Sequence, residues 1–303
     1  MAVMVPNAWG KALEPGVNAW FGKAYAEYPE EWKQLFEVHK SKKHFEEDVG
    51  INGFGLMVKR PIGGSVSYDT ASQGMVARYK HAEYALGFVI SKILVDDNLY
   101  MEAAMRDASS LAFSARQTKE LVCANVYNRA TNSSYTGADG VSLLSTAHLR
   151  GKGGTYANKP SVDVDLSEAA LEDALIAISK MKDDAGLTIA LRAMSLLIPP
   201  ELMFVAERIL KSDGRVGTAN NDINALLSMG QFPKGVHVNH YFTDTDAWFI
   251  RTNAPHGMKF FERQAPQLGM VNDFDTDNAK FKLSERYSAG WSDPRGIYGS
   301  TGG

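Results

Sequence analysis

Cysteine is almost missing from this chain: Cys123 is the single one in 303 residues. No internal disulfide framework can form, so the subunit matures in a reducing compartment or is indifferent to redox. An excess of charge of one sign is also missing. The 32 Lys and Arg nearly balance 35 Asp and Glu, for a net charge of −3. That gives no footprint for a nucleic-acid groove or an anionic membrane surface. Long apolar runs are absent, and the stretch 194–199 is far too short to span a bilayer. Residues 1–10 lack a basic segment followed by an apolar run, so no signal peptide is expected there. The expectation is a soluble protein made in a cytoplasm.

Catalytic motifs are scarce as well. Residues 150–155 read Arg-Gly-Lys-Gly-Gly-Thr, but a phosphate loop needs Gly-Lys-Ser/Thr after four spaced residues and a strand in front. A surface loop is the better reading. Asp273, Asp275, Asp277 and Asn278 imitate the start of a calcium loop, yet its twelfth position is Ser284 rather than a bidentate Glu. The seven histidines do not cluster. His237 and His240 fall on opposite faces of an expected strand, and His39 and His44 are badly spaced for a helical metal site. His81, His148 and His256 stand alone, which favours exposed or hydrogen-bonded side chains. Cys123 sits on the apolar side of an expected helix, as a buried thiol would. The sequence therefore gives no catalytic residue, cofactor or metal, and the chain is expected not to be an enzyme.

What is present is a very long helix. No Gly or Pro interrupts the chain between Gly87 and Gly137, and the pattern predicts a helix over 96–130, roughly 50 Å long. Asp96, Asp97 and Asn98 cap its start, with Glu102 in the first turns. Tyr100, Met101, Ala104, Met105, Ala108, Leu111, Ala112, Ala115, Val122, Cys123 and Val126 share one stripe. Much of it is Ala, so another element can approach closely. Phe113 and Leu121 break the polar face and suggest a second, smaller contact. The stripe has no heptad regularity, which argues against a coiled coil.

The flanks differ in character. Pro6, Gly10, Pro15, Gly16 and Gly22 punctuate an N-terminal arm. Its aromatics Trp9, Trp20, Phe21, Tyr25, Tyr28 and Trp32 follow no obvious period, as if buried against something else, a neighbouring chain included. A short helix is expected within 30–40. Residues 50–80 alternate Gly with apolar residues and read as a long β-hairpin with a turn at 61–64; such a hairpin needs a partner surface. The charge runs 40–43 and 46–48 are either a solvated face or a pairing device between subunits. A strand over 84–90 leads into the long helix. After a polar loop at 132–160, Asp165 and Glu168 form a capping-box pattern for a helix to about 183 that Gly186 ends. A buried strand at 194–198 and a helix at 201–211 follow. Residues 236–242 and 247–252 form an expected strand pair across the turn at 244–246. Strands at 258–263, 279–289 and 296–298 complete an α+β chain without internal repeats.

This order resembles tailed-phage major capsid proteins of the HK97-like fold. Local sequence is similar to the Mu-like major head subunit family. The stretches that carry it are Tyr84-Ala85-Leu86-Gly87-Phe88 with Asp96-Asp97 and the helix to Asn128-Arg129; Asp139-Gly140-Val141 through His148; Leu196-Leu197-Ile198-Pro199-Pro200-Glu201-Leu202; Asp246-Ala247-Trp248-Phe249; and the closing segment from Lys282 to Arg295.

The resemblance implies an N-terminal arm at 1–48 and an extended hairpin, the E-loop, at 49–83. It implies a peripheral domain at 84–159 and 255–303 with the spine helix 96–130, and an axial domain at 160–254. It implies pentamers and hexamers in an icosahedral shell around packaged double-stranded DNA, assembled in the host cytoplasm. The arm begins almost at Met1, which implies a separate scaffolding protein. A portal protein and a decoration or cement protein are further implied partners, and no membrane is. Trp9, Trp20, Phe21, Tyr25, Trp32, Lys59, Arg60, Tyr68 and Arg78 are the expected intersubunit contacts. Lys59 and Lys80 match no crosslinking set, so no covalent crosslinks are expected. Two other readings stand beside this one: an encapsulin-like compartment of the same fold, and an α+β enzyme with a polar pocket.

Overall fold

The computed structural model describes residues 8–97, 100–214, 223–273 and 278–303. The N-terminal segment forms α1 (Ala8–Glu27), α2 (Trp32–Leu35) and β1 (Glu37–Lys40). The hairpin is β2 (Phe45–Asn52) and β3 (Ser72–Lys80), followed by β4 (Ala82–Ile90), α3 (Lys92–Asp96) and the spine helix α4 (Tyr100–Asn128). A two-stranded flap, β5 (His148–Leu149) and β6 (Thr155–Tyr156), lies in the polar loop. The second module holds α5 (Glu168–Ser179), β7 (Ala193–Ile198), α6 (Met203–Lys211), α7 (Ala225–Met229), β8 (Val236–Val238) and β9 (Trp248–Thr252). The chain ends in β10 (Met258–Asn272), β11 (Ala279–Trp291) and β12 (Ile297–Ser300).

The spine helix is 29 residues long, about 44 Å at the usual rise. It starts at Tyr100, four residues later than expected. Asp96 ends the short α3 instead, and the Asp97 N–H closes that turn on the Ile93 carbonyl at 2.9 Å. The Ala stripe is the buried side: Ala104, Ala108, Leu111, Ala112 and Ala115 lie under neighbours. Met101 and Met105, expected on that stripe, are 55% and 47% exposed.

The arm is not irregular. Val17, Trp20, Phe21, Ala24, Tyr25 and Tyr28 recur at i, i+3, i+4, i+7, i+8 and i+11, a helical stripe that the nearby Pro15, Gly16 and Gly22 obscure. Pro15 withholds one backbone donor inside α1. Packing on the spine helix outweighs that loss. Val17 meets Ala104 and Ala108, while Phe21 and Ala24 meet Leu111, Ala112 and Ala115. Small residues on one helix admit large ones from the other.

Two four-stranded sheets flank this helix pair. The first has the order β1-β10-β11-β4, with β1 parallel to β10 and the rest antiparallel. The second has the order β12-β9-β7-β8. The expected hairpin between 236–242 and 247–252 does not form. β7 lies between the two strands, parallel to β8 and antiparallel to β9. β7 is buried along nearly its whole length, as a central strand must be, while the three half-buried residues of β8 suit an edge. The C-terminal β12 pairs with β9, so the chain end returns to the second sheet.

Helix α5 opens at Ser167, whose hydroxyl accepts the Ala170 N–H at 3.2 Å, rather than at Asp165. It ends at Ser179, and Gly186 serves a later turn with φ 88°. One core joins the arm, the spine and both sheets: Trp32, Leu35 and Phe36 of the arm, Cys123 and Tyr127 of the spine, Leu197 and Phe249 of the second sheet, Phe260 and Tyr287 of the first.

Candidate functional site

Among the described residues the hairpin is the most exposed part of the chain. β2 and β3 run in register from Phe45 opposite Lys80 to Asn52 opposite Ser72, with one irregularity between Val49 and Ile51. Its root is tied down. Asp48 pairs with Lys259 and accepts the Ser292 hydroxyl at 2.5 Å, and Tyr79 Oη lies 2.6 Å from Ser292 Oγ. Burial works against the Asp48 carboxylate, but these partners hold it below the usual range. Lys43 pairs with Glu46 at 3.2 Å and Arg78 with Glu47 at 2.5 Å. The charge run 46–48 is therefore engaged inside the subunit.

Beyond Asn52 the tip forms no strand until Ser72. The turn expected at 61–64 is there: the Gly64 N–H donates to the Pro61 carbonyl at 3.0 Å, and Gly63 supplies the positive φ of 78°. Arg60 Nε donates to the Gly64 carbonyl at 2.6 Å. Asp69 braces the tip. It accepts the Gly55 and Thr70 N–H groups at 2.8 Å each, and Lys152 of the β5–β6 turn lies 2.9 Å away. The Gly55 N–H, then Lys152 and Thr70, hold its carboxyl down at about 2. Lys59 and Arg60 are exposed, Met57 is fully exposed and Tyr68 is 91% exposed. Leu56, Val58 and Ile62 lie open beside them. Burying one such side chain contributes about 1.5–3 kcal/mol, so the tip presents a large unspent apolar surface.

The other expected contact residues fall elsewhere. Phe21 and Trp32 are buried within the subunit, and Trp20 and Tyr25 are partly so. Trp32 packs on Phe260 with ring centroids 4.3 Å apart, and Tyr25 stacks on Phe21 at 5.5 Å. The Trp9 side chain lies outside the described residues. Phe113 packs on Tyr28 at 5.0 Å, the second contact that its place on the polar face suggested.

A polar junction, which no motif in the sequence signals, locks arm, spine and both sheets. Lys119 and Glu285 pair at 2.7 Å, and Arg116 pairs with Glu30 and donates from Nε to the Tyr25 carbonyl at 2.9 Å. The Glu120 carboxylate accepts the Glu31 and Trp32 N–H groups at 3.0 and 2.9 Å, filling the open N-terminus of α2. Burial, then the nearby Glu31 charge, pushes its pKa up to about 7. Glu31 in turn accepts the His240 N–H at 3.0 Å and lies 2.7 Å from its Nδ1. Tyr127 Oη donates to the Leu35 carbonyl at 2.6 Å. Arg116, Lys119 and Glu120 share the i, i+3, i+4 and i+7 spacing with the buried Cys123, which hid these charges among apolar neighbours.

The remaining chemistry is structural. His148 is fully buried, with Nδ1 2.5 Å from Asp139 and Nε2 near the Leu143 carbonyl and Asn158 Oδ1. Both ring nitrogens are engaged in holding the loop at 132–160. Burial holds the Cys123 thiol well above its usual range, so it stays protonated. Asp273 pairs with Lys280 at 2.6 Å, while Asp275 and Asp277 of the calcium-like run lie outside the described residues. Among the described residues no group of His, Cys, Asp or Glu is arranged to hold a metal ion.

A family model of phage capsid proteins matches residues 75–300. The chain belongs to the phage capsid protein family. No curated protein matches it by sequence. Solved structures give the fold. A virus-like particle from Pyrococcus furiosus aligns with TM-score 0.52 and 14% identity over 94% of this chain and 97% of that one. The procapsid of bacteriophage JBD30 aligns with TM-score 0.55 and 13% identity over 99% and 77%. The capsid of Myoviridae phage XM1 aligns with TM-score 0.53 and 12% identity over 88% and 90%. The capsid protein thus has the HK97-like fold, a mixed helix and strand architecture, and its role is that of a structural major capsid subunit. The match stops at the level of the capsid family and does not reach the Mu-like subfamily.

Proposed function

We propose that the capsid protein forms pentamers and hexamers that tile an icosahedral shell around double-stranded DNA, with the hairpin 49–83 lying on a neighbouring subunit. The observation that carries this is the hairpin tip. Met57, Ile62 and Tyr68 stand free of their own subunit on an arm braced at its root. A ring is a heterologous interface that closes by rotation, and a projecting arm fits it. Many such contacts give a strong shell by multivalency. In this reading 84–159 and 255–303 form the peripheral domain, with β12 lent to the second sheet, and 160–254 form the axial domain near the ring centre. Lys59, Arg60, Tyr68 and Arg78 are the hairpin residues assigned to the contact. The arm aromatics Trp20, Phe21 and Tyr25 act through α1, by fixing its seat on the spine, and Trp32 acts through α2, by its packing on Phe260.

The subunit works with a separate scaffolding protein and a portal, assembles in the host cytoplasm, and holds DNA by confinement rather than by a basic groove. It catalyses nothing. Electron microscopy of the purified chain, alone and with the scaffolding protein of its phage, tests the reading. Closed shells are expected. A monodisperse monomer under both conditions overturns it. Shells that co-purify with a cargo enzyme in place of DNA would favour an encapsulin-like compartment.

A further inference from the structure

A cleft of about 740 Å³ lies between the arm at 33–37 and the second sheet. Its origin is in the strand register. On β7, Ser195 and Leu197 point to one face. Arg251 is the cross-strand partner of Ser195, and Phe249 and His237 are partners of Leu197. Leu197 and Phe249 are covered by Phe36 and the junction core. Where that cover stops, the same face turns polar at Ser195, Arg251 and His237.

The cleft is basic and its charges are unspent. Arg251 gives one Nη1–H to the Gln34 carbonyl at 2.6 Å. Lys234 is exposed at the rim, on a turn closed by the Gly235 N–H on the Phe232 carbonyl at 2.9 Å. Among the described residues neither side chain has a carboxylate partner. Lys33 also lines the cleft but is paired with Glu30, and Glu37, the one acid in the lining, lies 3.7 Å from His39. Burial, then the Arg251 and Lys234 charges, holds the His237 imidazole below its usual range, so it stands as a neutral hydrogen-bonding group. Phe36, Met194, Pro255 and Met258 supply apolar wall. Two uncompensated cations, a neutral imidazole and an apolar wall converge on one concavity.

We infer that this cleft binds a carboxylate-rich peptide segment of a partner protein. A guanidinium and an ammonium set at one concave point suit side-chain carboxylates. A nucleic-acid backbone presents its phosphates along a rod and is met by basic groups in a stripe. The acids at 30–31, 46–48 and 183–184 are engaged within the subunit and do not serve as this ligand in a second copy. Glu172 and Asp173 are adjacent on α5 and diverge.

The test uses the full-length chain and a fluorescein-labelled hexaglutamate peptide, read by anisotropy at low salt. Binding is expected, weakened by at least about tenfold in Lys234→Glu and in Arg251→Gln. Lys234 is exposed, so its reversal leaves the fold intact, and Lys211→Glu on α6 is the remote control, expected to bind as the parent does. No binding by the parent chain overturns the inference. So does an equal loss in Lys234→Glu and Lys211→Glu. A labelled DNA duplex that binds more tightly than the peptide, and is lost in Lys234→Glu, assigns the cleft to nucleic acid and overturns it as well.

Discussion

Lys119 Nζ of the spine helix lies 2.7 Å from Glu285 Oε2 of β11, and both side chains are only 3% exposed. Tyr25, Trp32 and Tyr287 present ring faces to the same ammonium. Burial works against the charge on Lys119, but Glu285, then Tyr25, outweigh it and hold its pKa up. Removing one partner strands the other charge in a dry site. Lys119→Met and Glu285→Leu are each expected to destabilise the unassembled subunit by about 3–5 kcal/mol, and the double variant to recover most of that loss. Urea unfolding of the four proteins measures it as a double-mutant cycle. Costs that simply add would show that the pair is not coupled.

Glu120 gives the subunit a pH dependence of defined sign. Its folded pKa is about 7 against an ordinary 4.5, raised by burial and then by Glu31. Between those values the native state holds a proton that the unfolded chain has released. Stability from this group is fully present below about pH 4.5 and is lost as pH rises through 7, at most about 3 kcal/mol in all. Glu120→Gln removes the titration and keeps one acceptor for the α2 N–H groups. Thermal melts of both proteins are expected to agree most closely near pH 5, where both side chains are neutral, with the parent losing stability relative to Glu120→Gln toward pH 8. A constant difference across that range would show that Glu120 stays ionised.

The spine helix and the hairpin were legible because their signals are local: an uninterrupted helical period at 100–128, and alternating apolar residues with a Pro-Gly turn at 61–64. The helix of the arm was not, since Pro15, Gly16 and Gly22 argue against it, and only burial on Ala108 and Ala112 overrides them. The pairing of β7 with both β8 and β9 was not legible either. Strand order is a non-local choice, and adjacency in sequence favoured the wrong partner. Among the candidate contacts, the exposed tip could be read from its composition. The seats of Phe21 and Trp32 could not, because an aromatic residue in sequence looks the same whether its partner is another chain or its own spine helix.

Asp69 connects the hairpin tip to the body through Lys152. Both are largely exposed, so the pair adds little to global stability. It instead restricts where the tip points. Asp69→Ala is expected to leave the melting temperature unchanged and to speed trypsin cleavage after Lys59, since Pro61 blocks cleavage after Arg60. The time course of nicking on gels measures this. Equal rates would show that Asp69 does not fix the tip, and Lys152→Ala with Asp69 intact separates the Lys152 contribution from that of the Gly55 and Thr70 N–H groups.

In the proposed function the hairpin's apolar tip serves assembly rather than folding, which a deletion tests. Removing residues 61–74 takes away the turn, Tyr68 and the first pairs of β3, but leaves the root contacts of Asp48 with Lys259 and of Tyr79 with Ser292. None of the buried clusters of the subunit uses the deleted residues. The shortened chain is therefore expected to remain soluble and to unfold within about 1 kcal/mol of the parent. It is also expected to yield no shells by negative-stain microscopy, since the intersubunit area carried by the tip is gone. Normal shells from this deletion would show that the tip is not an intersubunit element. An unfolded product would show instead that strand pairing beyond Asp48 holds the root together, and deleting only 56–68 then isolates the tip from the strands.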